Sequence, residues 1–218
     1  MRTATVSRMG ATCAGMLAIL AIAALILQYV LLVRTSGQAI GVGGATLRFA
    51  SYFTILSNAL VATVAAAAAL HPWRRGFWTR PAVRAAVALY IGVTLVVYDR
   101  ALSTLWSPTG LQWIADTALH YGVPILYLAW WLVFVPHGAL RLRHVARWLG
   151  FPLAYLLYAN ARGRFTGEWP YPFLDTDVLG LAQVARNALL VLGVFLVGGV
   201  LLLGIDRLLG RFETARLP

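Results

Sequence analysis

Apolar residues run along this chain in blocks long enough to cross a bilayer, and polar residues fall mostly in the gaps. Five blocks are near or above the roughly 18 to 20 residues that a spanning helix needs. They are Gly15–Val33, Phe49–Leu70, Ala82–Tyr98, Thr117–Val135 and Leu181–Ile205. A sixth, Val145–Ala161, is shorter, carries Arg147 and contains Pro152. The pattern predicts an all-α polytopic membrane protein. One transmembrane domain over residues 1–218 should fold as a six-helix bundle, with spans at about 15–33, 49–70, 82–98, 117–135, 145–161 and 181–205. The gaps are short, so successive spans should lie antiparallel, up and down.

Composition points the same way. The chain is 61% hydrophobic and only 11% charged, a proportion rare in soluble domains of this size. Six spans leave no length for a separate soluble domain. The net charge of +11 would suit a nucleic-acid partner, but its distribution argues against one. With the N-terminus inside, twelve arginines fall in cytoplasmic segments: Arg2, Arg8, Arg74, Arg75, Arg80, Arg84, Arg141, Arg143, Arg147, Arg207, Arg211 and Arg216. Six fall outside: Arg34, Arg48, Arg100, Arg162, Arg164 and Arg186. This is the positive-inside asymmetry. It predicts a multi-pass protein of the bacterial cell membrane with both termini cytoplasmic and some attraction to anionic lipid. The first block is too long for a cleaved signal peptide and no Ala-x-Ala site follows it. The lone Cys13 allows no internal disulfide and no metal cluster, so neither metal nor cofactor is expected. All basic residues are arginine, which with abundant alanine and glycine suggests a GC-rich genome.

Two outside loops are rich in turn formers and aromatics: Trp106–Gly110 and Gly167–Asp175. They read either as an interfacial aromatic belt or as a lid over a cavity opening outward. The cytoplasmic loops His71–Arg80 and Pro136–Arg147 read as plain connectors, with His71, His137 and His144 solvated.

His120 is the one histidine inside a predicted span. A titratable side chain in hydrocarbon is costly and generally has a partner and a role. The second and fourth spans both run inward. Thr54 lies six residues past Arg48, roughly 9 Å deep, and His120 four residues past Asp116, roughly 6 Å deep. Other polar groups share that level: Ser57, Asn58, Tyr98, Asp99, Tyr155, Tyr158, Asn160 and Asn187. One polar shelf on one side of a bundle resembles the floor of a site. Thr54 and Asn58 are i and i+4, on one helix face, and so are Asp116 and His120. A carboxylate one turn from an imidazole can accept its N–H and fix its tautomer. The imidazole could then take the proton of a threonine hydroxyl and make it a nucleophile. Asn58, Tyr98 or a fifth-span tyrosine such as Tyr158 could donate to a developing oxyanion. Each group has a plainer reading. Thr54 could donate to the Ala50 carbonyl, Ser57 and Asn58 could tie helices together, and His120 could be a structural donor.

A resemblance arises at these residues. Arg48-Phe49-Ala50-Ser51-Tyr52-Phe53-Thr54-Ile55-Leu56-Ser57-Asn58, Leu119-His120-Tyr121-Gly122-Val123-Pro124 and Tyr171-Pro172-Phe173-Leu174-Asp175 resemble the signature of a family of small bacterial six-span membrane proteins. That family is distantly similar to the androgen-induced and androgen-dependent membrane proteins, threonine hydrolases of fatty-acid esters of hydroxy fatty acids. The resemblance covers about Arg48 to Asn187. It implies a nucleophile at Thr54, in Tyr52-x-Thr54, and a base at His120, in His120-x-x-x-Pro124. It also implies a lipid-like ester substrate in contact with membrane lipid, and no cofactor. Only the threonine, histidine and proline carry across to the hydrolases, so the orienting role of Asp116 rests on spacing alone.

A small transporter or channel is the main rival, with Asp99, Arg100 and Asp116 as ion ligands, although no inverted repeat or matching pair of broken spans is present. A bis-histidine haem site lacks a second histidine in a span. His-Glu-x-x-His and Gly-x-Ser-x-Gly are both absent. A non-catalytic structural membrane protein is the remaining alternative.

Overall fold

A computed structural model describes residues 7–72 and 76–215, and over those residues the chain is all helix with no strand. Arg2, Arg74, Arg75 and Arg216, which enter the charge asymmetry, lie outside the described residues.

The first helix, α1 (Arg8–Ala50), is capped by Ser7, whose hydroxyl accepts from the Gly10 N–H at 3.1 Å. It starts ahead of the expected Gly15 and runs to Ile40. Gly41 then adopts φ 70° and ψ 164°, a backbone open to glycine and strained for other residues. There the helix doubles back. The hydroxyls of Tyr29 and Thr46 are 2.9 Å apart, where a straight helix would separate these residues by roughly 25 Å. Arg48 Nη1 likewise donates to Ser36 Oγ at 3.1 Å. Residues 42–50 thus return along the preceding turns and deliver Arg48 to the start of the next helix.

A break at Ser51 and Tyr52 leads into α2 (Phe53–Leu70), four residues after the expected Phe49. Next comes α3 (Pro81–Val97), with Pro81 in its first turn, where a missing N–H costs nothing. It passes into a π-helical turn over Tyr98–Leu102. Then α4 (Gly110–Thr117), a second π turn (Ala118–Gly122) and α5 (Val123–Phe134) form one continuous rod. After α6 (Leu142–Trp148) and α7 (Gly150–Thr166), a 3-10 turn (Pro172–Leu174) and the short α8 (Thr176–Leu179) lead to α9 (Leu181–Ala215).

Among the described residues, five helical stretches are long and apolar enough to cross a membrane: α1, α2, α3 with its π turn, the α4–α5 rod, and α9. The block expected as one span over Val145–Ala161 is instead divided. The chain turns at Leu149 between α6 and α7, and Pro152 lies in the first turn of α7, where its missing N–H breaks no internal hydrogen bond. The 17 residues of α7 reach roughly 26 Å.

The fold is apolar outside and polar at selected points inside. Ile19, Ile22 and Ile26 of α1 and Leu189, Leu190, Val197 and Leu201 of α9 are exposed, while Asn58, Ser57, Thr94, Asp116 and Asp206 are buried. Water would penalise so large an apolar surface, whereas lipid accepts it. Helix α3 is central, packed against α2, α5 and α9. Gly198 and Gly199 let α9 approach closely: a Cβ there would sit 2.9 Å from Leu89 Cδ1 and 2.8 Å from Val145 Cγ1, the small-residue packing common between membrane helices.

One expected solvated histidine is buried. His137 Nε2 lies 3.1 Å from the Leu132 carbonyl and Nδ1 3.4 Å from Asp206 Oδ1. The turn folds inward because Asp206 of α9 is buried and needs partners. It draws in His137 and the Leu140 N–H, which donates to Oδ2 at 2.9 Å.

Candidate active site

The start of α2 and the π turn of the α4–α5 rod form the site together. Thr54 is the second residue of α2, after Tyr52 and Phe53. Its N–H is one of the donors that a helix start leaves without an internal acceptor, and it donates to the Tyr171 hydroxyl at 3.3 Å. The Thr54 side chain does not bond back along its own helix. Thr46, Thr63 and Thr94 each donate to the carbonyl four residues earlier. Thr54 Oγ1 instead lies 3.2 Å from His120 Nε2 and 3.5 Å from the Tyr171 hydroxyl. The break at Ser51 and Tyr52 takes the chain off the helical path before Thr54, which removes that acceptor.

His120 projects from the wide turn Ala118–Gly122, closed by the Val123 N–H on the Ala118 carbonyl five residues back. The cause is local. Pro124, four residues after His120, has no N–H for the His120 carbonyl, and its ring crowds that oxygen, so the helix opens. Wide turns of this kind recur at functional sites. His120 Nδ1 faces two acceptors, the Asp116 carbonyl at 3.0 Å and Asp116 Oδ1 at 3.1 Å. That pairing puts the imidazole proton on Nδ1 and leaves the Nε2 lone pair for the Thr54 hydroxyl. The Tyr98 hydroxyl donates to Asp116 Oδ2, and the Tyr98 ring stacks on His120 with centroids 3.7 Å apart and planes 10° apart. Asp116 is therefore gripped from both sides, and the imidazole is fixed in its plane and its tautomer.

The other sequence candidates are placed as follows. Asn58 is fully buried, but its amide N–H groups go to the carbonyls of Thr54 at 2.8 Å and Leu119 at 3.1 Å. It ties α2 to the turn that carries His120, and both of its N–H groups are spent there. Tyr98 likewise spends its O–H on Asp116. Tyr158 is 42% exposed and does not line the cavity beside Thr54. Tyr155, three residues earlier on α7, points inward and donates to the Ser51 carbonyl at 2.9 Å. Of the remaining shelf, Ser57 pairs with Thr94 at 2.9 Å, Asp99 is paired with Arg100 at the surface, and Asn160 donates to the Leu156 carbonyl. Asn187 donates to the Phe173 carbonyl at 2.9 Å and so pins the loop that carries Tyr171.

Tyr171 is the residue that sequence reasoning missed. Its loop was singled out for its aromatics, but a returning loop has no periodicity to mark which ring turns inward. Its hydroxyl accepts from Thr54 N–H and lies 3.5 Å from Oγ1, a contact in which either oxygen can be the donor.

Two cavities flank the pair. An apolar one of about 90 Å³ opens beside Thr54 between α3, α7 and α9, with Val97, Leu156, Leu192, Phe195 and Tyr171 among its walls. A polar one of about 240 Å³ is lined by Arg48, Ser51, Tyr52, Arg162, Glu168 and Trp169. The Tyr52 and Tyr171 rings meet edge to face at 6.0 Å between them. In the polar cavity, hydrogen bonds from Arg48 and then Arg162 hold the Glu168 carboxyl down to about 2. Gly163 lets Trp169 lie directly on α7, since a Cβ there would come within 2.3 Å of the ring. The second aromatic loop differs: Trp106 is exposed.

Among the described residues no group of three or more His, Cys, Asp or Glu side chains is arranged to hold a metal ion. No family model, curated protein or solved structure matches the chain.

Proposed function

We propose that this chain is a six-span protein of the bacterial cell membrane that hydrolyses fatty-acyl esters, with Thr54 as nucleophile, His120 as general base and Asp116 as the residue that orients it. The observation that carries the reading is the unbroken chain Asp116–His120–Thr54 ending at an apolar cavity. In this reading α7 is the fifth crossing, both termini are cytoplasmic, and the site lies in the outer half of the bundle. The arginine asymmetry supports that orientation.

The chemistry follows from the donors and acceptors present. Thr54 Oγ1 attacks the acyl carbon while its proton passes to His120 Nε2. The oxyanion of the tetrahedral intermediate takes the Tyr171 O–H, a donor close to the reacting oxygen. Collapse breaks the bond to the alcohol oxygen, which leaves with the proton from Nε2. Water then attacks the acyl-threonine, His120 takes its proton, and collapse returns that proton to Thr54 and frees the fatty acid. The apolar cavity takes the acyl chain.

The test is purified protein against fatty-acyl esters of graded chain length, with Thr54→Ala and His120→Ala. Each change should abolish turnover, and the double variant should be little worse than either single one, because groups acting as a unit are not additive. An electrophilic lipid-like probe should label the parent chain and not Thr54→Ala. Leu192→Trp, which fills the apolar cavity, should raise KM for long esters and spare short ones. If either single variant turns over esters at the parent rate, or no ester is hydrolysed, the hydrolase reading fails.

A further inference from the structure

The polar cavity has no part in the steps above, and its composition is unusual for its place. Arg48 and Arg162 come from different helices, α1 and α7, and converge on one carboxylate. Arg48 Nε donates to Glu168 Oε2 at 3.3 Å, and Arg162 Nη2 to the same oxygen at 2.6 Å. The arginine side chains are only 29% and 11% exposed. Two cations against one anion leave one formal positive charge in a half-open pocket, where the Glu168 side chain is 34% exposed and an anion would meet two guanidinium groups at once. The volume, about 240 Å³, is much more than a carboxylate fills. Guanidinium pairs are well matched to phosphate, which offers oxygens to both forks.

The position matters as much as the charge. Ser51 and Tyr52 line the polar cavity, and Phe53 and Thr54 line the apolar one. The two cavities share no lining residue, but they flank four consecutive residues at the start of α2, with Thr54 on the apolar side and the Tyr52–Tyr171 ring contact between them. We infer that Arg48 and Arg162 form a phosphate headgroup subsite, so that the ligand is a phosphate-bearing lipid with its acyl chain beside Thr54 and its headgroup on the arginine pair. Glu168 occupies the subsite when it is empty and is displaced by the phosphate. The inference deepens the hydrolase reading and rests on it for the acyl role of the apolar cavity. The binding itself needs no turnover.

The experiment is calorimetric titration of the full chain in a neutral detergent with dodecyl phosphate, dodecanol and inorganic phosphate. It is repeated in the Thr54→Ala background. Dodecyl phosphate should bind at least about tenfold tighter than dodecanol, the scale of one charge-assisted hydrogen bond. Inorganic phosphate should not compete at matching concentration, which separates a lipid-borne phosphate from the free ion. Arg162→Gln should remove the preference while leaving dodecanol binding unchanged. Glu168→Gln should strengthen the preference, because it removes the internal competitor. A purely structural ion-pair cluster predicts that both substitutions weaken binding together. Equal binding of dodecanol and dodecyl phosphate, competition by inorganic phosphate alone, or weaker binding in Glu168→Gln would each overturn the inference. If esters are never hydrolysed but the phosphate preference holds, the hydrolase reading fails and the subsite stands. If hydrolysis is found without the preference, the subsite fails alone.

Discussion

Replacing Asp116 with asparagine keeps the shape of the side chain and alters only what it can accept. In the parent chain the carboxylate accepts from Tyr98 on one oxygen and from His120 Nδ1 on the other. An amide can accept on one side only. With its oxygen toward Tyr98, its NH2 group confronts the Nδ1 proton and forces the imidazole into the tautomer that presents N–H to Thr54, which abolishes the base. With its oxygen toward His120, the NH2 group meets a Tyr98 hydroxyl that can rotate and accept. The Asp116 carbonyl, 3.0 Å from Nδ1, holds the proton on Nδ1 whatever the side chain does, so the second placement prevails. The loss is then one charge-assisted hydrogen bond reduced to a neutral one, about 1–3 kcal/mol, or roughly 5- to 150-fold in rate. Steady-state hydrolysis of a fatty-acyl ester by purified Asp116→Asn should show this fall in kcat. KM should hold, because Asp116 does not line the apolar cavity. Activity within about twofold of the parent would mean that the carboxylate does not serve the imidazole. A fall of about four orders of magnitude, the cost of losing the correct tautomer, would mean that the backbone carbonyl does not hold the proton.

Reporter fusions after Arg80 and after Arg164 should report from opposite sides of the membrane, and the same side for both would overturn the six-span topology. Glu168 titrates at about 2 in the folded chain against an ordinary 4.5, so its ion pairs add stability that is complete above about pH 4.5 and lost as pH falls through about 2. Thermal unfolding of the parent chain should therefore weaken more between pH 6 and pH 3 than that of Glu168→Gln. Parallel curves would show that the cluster contributes nothing.

The long apolar helices were legible because their pattern is one of length alone. The pairing of Thr54 with His120 was legible too, because the rise of a helix converts residue counts into ångströms and put both at one level, and the two side chains do meet. What failed was direction at single positions. Tyr155 and Tyr158 are three residues apart on α7, and nothing in a uniformly apolar helix tells which one faces inward. Asn58 lies on the Thr54 face as i and i+4 spacing requires, yet the use of its N–H groups depends on the Leu119 carbonyl across the helix interface. The reversal at Gly41 was written in the run Gly41-Val42-Gly43-Gly44, but glycine is also frequent inside membrane helices. His137 was misread because its burial answers to Asp206, about seventy residues further along the chain.

The turn at Ala118–Gly122 has a consequence for how the site is encoded. A π turn is an α-helix with one residue too many. The extra residue is taken up inside the wide turn, so removing one would restore regular helix and leave the faces before and after the turn nearly in register. Val123, Tyr127 and Trp131 would stay buried along α5, while the wide turn that carries His120 would be lost. The extra residue thus serves the local shape of the turn that presents His120, not the packing of α5. A one-residue deletion within Ala118–Gly122 should therefore spare the fold and remove the Thr54–His120 contact, which makes the extra residue itself part of the candidate site.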